Sequence, residues 1–194
     1  MTRVLSKLAW AAAFGFVACN GGGGKGSPDD SAPVGDDDDD DDTTEPSAVE
    51  VFVNEVMAQN RSTLEDETGA FPDWIELYNA GAEDVDLEGY WLTDDVQNVF
   101  KWRFPADSVI EAGGYLIVFC DQDTADGPLH ASFELGGLDG EDVALFGENV
   151  DNNPLIDKIE DMALARPDTS VARMPDGGPT ISEDGTATPG ASNE

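Results

Sequence analysis

His130 is the only imidazole among 194 residues, so any acid–base or nucleophilic chemistry that needs histidine must pass through it. A catalytic histidine requires a nucleophile and an orienting acid within hydrogen-bond reach. Ser132 stands two positions further on, which on a strand puts both side chains on one face without aiming either at the other. No serine lies in a nucleophile-elbow sequence, and His130 therefore reads as a structural hydrogen-bonding residue. Carboxylates are the other candidates. With 42 Asp+Glu in the chain no pair stands out, and the spacing that marks a glycosidase pair, about 5 Å or about 6.5–9.5 Å, is a property of the fold. No catalytic residue is assigned.

A metal is better served. The segment Asp121-Gln122-Asp123-Thr124-Ala125-Asp126-Gly127 offers oxygen ligands in a loop, the donor type calcium takes. Asp121, Asp123 and Asp126 are the candidate Ca²⁺ ligands, although Ala125 stands where a third ligand normally falls and Asp126 comes one residue late. The alternative reading is an acidic turn. Glu148, Asp151 and the neighbouring asparagines form a weaker second set. Cys120 sits beside Asp121, a carboxylate that raises a thiol pKa, so it reads as a small core or edge residue and not as a reactive thiolate. One His and two distant Cys cannot assemble the usual Cys/His zinc spacings or a disulfide framework. Apart from Ca²⁺, no cofactor is expected.

The net charge of −33 bears on partners. Nucleic-acid affinity comes from Lys and Arg displacing condensed counterions, so nucleic acid is excluded as a partner. Residues 1–48 carry 3 bases and 10 acids, and residues 49–194 carry 6 bases and 32 acids. The difference places −26 on the second segment, so the acidity belongs to the folded part more than to the aspartate run at 36–42. Partners should be neutral, cationic or bridged by divalent ions.

The chain divides into three parts. Arg3 and Lys7 precede an apolar run from Leu8 to Val17, the pattern of an export signal and too short for a membrane span, which needs about 20 residues. The run ends in Phe16-Val17-Ala18-Cys19, which resembles the lipobox of bacterial lipoproteins. That resemblance implies a signal over residues 1–18, lipidation of Cys19 and a membrane anchor. Phe16 departs from the usual Leu, and Asn20, in place of Asp, is consistent with sorting to the outer membrane. Residues 19–48 are Gly-, Ser-, Pro-, Thr- and Asp-rich and cannot bury a core, so they read as a disordered acidic tether.

Residues 49–194 are long enough for one domain. Short apolar runs recur about every ten residues: Val51 to Met57, Trp74 to Tyr78, Val85 to Leu92, Val99 to Phe104, Tyr115 to Phe119, Asp142 to Phe146, Leu155 to Ile159 and, more weakly, Ser170 to Met174. Glycine and proline punctuate them, which predicts an all-β sandwich or barrel. The fully apolar run at 115–119 predicts a central strand covered on both faces. Only Asp157 to Ala165 has a helical alternative, limited by Pro167. In DWIEL the pleat puts Ile75 and Leu77 inward and Trp74, Glu76 and Tyr78 on the other face. Gly89 permits a bend within one long strand. Trp91 and Trp102 read as packing residues, and Arg173 as the structural partner of a carboxylate.

VFVNEVMAQN, PDWIELYNAG, VDLEGYWLTDD, KWRFP, LHASFEL, GEDVALF, LIDKI, SVARMPDGG and TPGASNE, taken in order, resemble the lamin tail domain in bacterial secreted proteins. The resemblance implies an immunoglobulin-like β-sandwich that serves as a binding or scaffold module without catalytic residues. The expectation is a non-catalytic cell-envelope lipoprotein that binds an envelope protein or glycan. The alternatives are a calcium-dependent or carboxylate-based hydrolase on the same sandwich, and a self-associating structural envelope protein.

Overall fold

A computed structural model describes residues 49–137, 139–148, 154–163 and 166–194. The export signal, Cys19, the tether and Asp151 lie outside the described residues. Among the described residues twelve strands run in chain order: β1 Val51–Met57, β2 Asp73–Asn79, β3 Val85–Asp86, β4 Trp91–Thr93, β5 Trp102–Arg103, β6 Val109–Ile110, β7 Tyr115–Cys120, β8 His130–Ala131, β9 Asp139–Phe146, β10 Leu155–Ala163, β11 Ser170–Met174 and β12 Thr180–Gly185. No helix occurs among the described residues. A six-stranded sheet in the order β12-β11-β1-β2-β7-β8 faces a four-stranded sheet in the order β10-β9-β4-β5, with a small β3-β6 ribbon beside them. The all-β, immunoglobulin-like sandwich expected from the sequence is the fold.

The core is what the two sheets share. Val51, Val53, Ile75, Leu77, Val118 and Val171 from the larger sheet pack with Leu92, Val143, Leu145, Ile159 and Met162 from the smaller. Burying each such side chain contributes about 1.5–3 kcal/mol. On β1 the inward positions change parity, from Val51 and Val53 to Val56 and Ala58. The cause is a bulge: Val53 pairs with Leu77, yet Glu55 pairs with Glu76. One extra residue, Asn54, keeps both ends of the strand facing the core.

The structure departs from the sequence reading in three places and settles open readings in two more. Val85 to Leu92 is not one strand, because Gly89 at φ 89° turns the chain so sharply that β3 joins β6 while β4 enters the second sheet. The apolar run at 115–119 is not fully covered on both faces: Val118 and Cys120 are buried, whereas Tyr115, Leu116, Ile117 and Phe119 are only partly buried. The helical alternative from Asp157 is not taken: the segment is strand, as the Leu155 to Ile159 run predicts, held by pairing with β9. Trp74, placed by the pleat on the face opposite Ile75 and Leu77, is fully buried there. Finally, β6, β8 and β12 have no counterpart among the apolar runs, since two are too short and β12 reads TISEDG.

Arg173 is paired as expected, and it also mends the bulge. At Val53 β1 has no register partner on β11, whose pairing begins at Glu55. Asp157 accepts from the Val53 N–H at 2.8 Å, and Arg173 Nε donates to the Val53 carbonyl at 3.0 Å. Arg173 Nη2 reaches both Asp157 oxygens, at 3.0 and 2.9 Å. The two side chains thus supply the hydrogen bonds that a neighbouring strand would have made.

Candidate functional site

Two clusters of buried polar side chains stand out among the described residues. At the first, Glu55 and Glu76 are register partners on β1 and β2 and both are fully buried. Like charges directly opposite on a sheet are destabilising, but the C-terminal tail supplies donors. Thr188 N–H donates to both oxygens of Glu55 at 3.2 Å, and Gly190 N–H donates to Glu76 Oε2 at 2.6 Å. Ser170 Oγ donates to Glu55 Oε1, and Asn54 Nδ2 to Glu76 Oε1 at 3.0 Å. Asn193 N–H completes the latch on Asp176 at 3.0 Å. Burial pushes the Glu76 carboxyl up to about 7, with the charges of Glu55 and Asp176 adding to it against the hydrogen bonds from Asn54 and Gly190. Burial likewise raises Glu55. The Asn54-Glu55 pair, the DWIEL segment and the closing Thr-Pro-Gly…Asn are therefore one latch.

At the second place, β7 ends and β8 runs parallel to it, with Cys120 opposite Ala131. His130 is 1% exposed. Its Nδ1 lies 2.8 Å from Asp121 Oδ2. Its Nε2 lies 3.3 Å from Glu67 Oε2, an ionic contact without hydrogen-bond alignment, so Nε2 is buried with no hydrogen-bond partner. Burial alone would lower the imidazole pKa, but Asp121 and Glu67 outweigh it and raise it. Asp66, Asp121, Asp126 and His130 each bring one ligand atom into a group whose members all lie within 4.8 Å of one another. Gly127 makes room for it: a side chain there would run into Glu67 and His130.

Of the three carboxylates expected to ligate calcium, the structure brings together Asp121 and Asp126. Asp123 builds the turn instead. Its Oδ1 accepts from Ala125 N–H at 3.1 Å and its carbonyl accepts from Asp126 N–H at 3.1 Å. Asp66 and His130 were not singled out as ligands. They lie 55 and 9 positions from Asp121, and the only signal was the Asp66–Gly69 turn chemistry, which marks a turn without saying what it faces. Ser132 turns away from His130 and donates to the Lys101 carbonyl at 2.8 Å. Cys120 is buried and free, and burial, then Asp73, Asp94 and Asp121, raise its thiol pKa well above the ordinary value. Glu148 makes a loose exposed contact to Arg103 at 3.8 Å.

Near the second place a cleft of about 450 Å³ opens between the β4–β5 connection and the residues after β8. Asp94, Asn98, Phe100, Lys101, Ser132 and Glu134 line it. Phe100 is 51% exposed and meets Trp91 edge-on at 5.0 Å between ring centres.

The lamin tail domain family model matches residues 44–162, more than half of the chain. The chain belongs to the lamin tail domain family. The match ends within β10, but β11 pairs with β1 and the tail is latched to β1 and β2, so this lamin tail domain closes only with its last residues. No curated protein matches the chain. Nor does any solved structure.

Proposed function

We propose that this lamin tail domain is the exposed part of a non-catalytic cell-envelope lipoprotein and that its sandwich binds a neutral glycan. The cleft at Phe100 carries the reading. A half-exposed aromatic ring offers a stacking face for a sugar, and Asn98, Ser132 and Glu134 ring it with amide, hydroxyl and carboxylate groups that fix orientation. The anchor rests on the Phe16-Val17-Ala18-Cys19 sequence, and residues 20–48 carry the domain away from the membrane. Two other polar groups are in structural use: Glu55, Glu76 and Asp176 hold the tail, and Asp168 holds the Arg61–Ser62 backbone at 2.7 and 3.0 Å.

Two results are expected. Cells fed labelled palmitate should label the wild-type chain and not Cys19→Ala; equal labelling of both would remove the anchor. On an array of envelope glycans, with and without Ca²⁺, the chain should retain a neutral glycan, and Phe100→Ala should weaken binding about tenfold, the loss expected of one stacking contact. Release of shortened glycan would instead favour the carboxylate hydrolase. Capture of an envelope protein with no glycan retained, or salt-dependent self-association on size exclusion, would favour the other two readings.

A further inference from the structure

We propose that Asp66, Asp121, Asp126 and His130 hold one first-row divalent transition-metal ion, of the Mn²⁺ or Zn²⁺ type. The four donors converge from three separate pieces of chain: the turn after β1, the end of β7 with its following loop, and β8. All four lie within 4.8 Å of one another. At metal–ligand distances of about 2.0–2.2 Å the donors of a tetrahedral shell lie about 3.4 Å apart and the opposite donors of an octahedral one about 4.2 Å, so the group closes on an ion by contracting by about 1 Å.

The burial of unused donor atoms points to a ligand independently of the cluster's charge. Asp66 is 9% exposed. Its Oδ1 accepts from Thr68 N–H at 2.8 Å, Thr68 Oγ1 at 2.8 Å and Ala70 N–H at 2.9 Å, while its Oδ2 is buried with no hydrogen-bond partner. Nε2 of His130 likewise makes no hydrogen bond, its one charged neighbour being Glu67 at 3.3 Å. Buried polar atoms almost always find a partner, and leaving one without is costly. A cation held by the four donors supplies what Asp66 Oδ2 lacks. With Glu67, four carboxylates surround one imidazole, so the site stays negative even when the ring is charged.

The donor set also selects the ion. Calcium takes oxygen ligands only, whereas imidazole suits zinc and its first-row neighbours. The ring is held in place by carboxylates at both nitrogens, Asp121 at 2.8 Å from Nδ1 and Glu67 at 3.3 Å from Nε2, the kind of support that orients a ligating imidazole. Asp123 is outside the set, as its bonds within the turn require.

Calorimetric titration of the full-length chain at physiological salt, with Mn²⁺, Zn²⁺ and Ca²⁺ in turn, tests this. The expected result is one saturable Mn²⁺ or Zn²⁺ per chain, with Ca²⁺ at least tenfold weaker. Asp126 is exposed and its removal leaves the core intact, so Asp126→Asn should weaken binding about tenfold or more, while Glu88→Gln, an equally exposed carboxylate elsewhere, should leave it unchanged. Pulsed electron paramagnetic resonance of bound Mn²⁺ should show coupling to an imidazole nitrogen, a readout that needs no substitution of the buried His130. The proposal is overturned by the absence of a saturable site, by equal effects of the two variants, by Ca²⁺ binding as tightly as Mn²⁺, or by a Mn²⁺ spectrum without nitrogen coupling.

Discussion

Between pH 4.5 and 7 the domain is expected to lose stability as the pH rises, a loss of about 3 kcal/mol from Glu76 alone. Its folded-state pKa is raised from 4.5 to about 7 by burial. In that window the native state binds more protons than the unfolded chain, and linkage then makes stability fall with increasing pH. The contribution is fully present below pH 4.5 and gone above about 7. Glu55, raised in the same direction by burial, adds to the slope. At the acid end Asp176 works the other way. Burial is outweighed there by the Asn193 N–H and by Asn54 and Tyr115, which hold its pKa below 3.8, so its stabilisation fades only at still lower pH. Maximum stability should therefore lie near pH 4–5, below the range usual for globular proteins. Thermal melts should show a decline on the order of 10 °C between pH 4.5 and 7. Glu76→Gln cannot titrate, and although its amide sets an N–H₂ against one of the two donors at that position, its melting temperature should be much less sensitive to pH. Parallel curves for the two proteins would refute the assignment.

The second large effect is at Arg173. Its guanidinium contacts Val53, Asp157, Lys158 and Gly178 through five hydrogen bonds and joins the two sheets. Both partners of the ion pair are mostly buried, Arg173 at 11% side-chain exposure and Asp157 at 16%. Removing one partner leaves the other uncompensated, so Arg173→Leu should cost about 3–5 kcal/mol in urea unfolding. Arg173→Lys should not rescue it, because an ammonium cannot reach Val53 and Gly178 while also meeting Asp157. The double variant Arg173→Leu with Asp157→Leu should be clearly more stable than the sum of the single losses predicts, by about 1–3 kcal/mol. Strictly additive losses would show that the pair does not act as a unit.

The contrast between these residues shows what was legible in the sequence. β1 and β11 could be bounded from their alternating apolar residues, because a sandwich strand must bury one face. The bulge at Asn54 could not, since an extra residue changes parity without changing composition. Glu55 and Glu76 did carry a signal: each is an acid inside an otherwise apolar strand, and such a residue needs donors from elsewhere. What the sequence withheld was their source, a tail more than 110 positions away. Asp121 and Asp126 were legible as neighbours in one acidic loop, but Asp66 joins them only through tertiary packing. β12 was invisible because a polar edge strand lacks the apolar alternation that marks an inner one.

The polar character of β12 has a further consequence. A sheet edge is a template on which another chain can add a strand. Here each open edge is spoiled: β12 carries Glu183, β8 and β5 are two residues long, and β10 is broken by register shifts and bears Glu160 and Asp161. Copies crowded together meet at edges that resist zipping into fibrils.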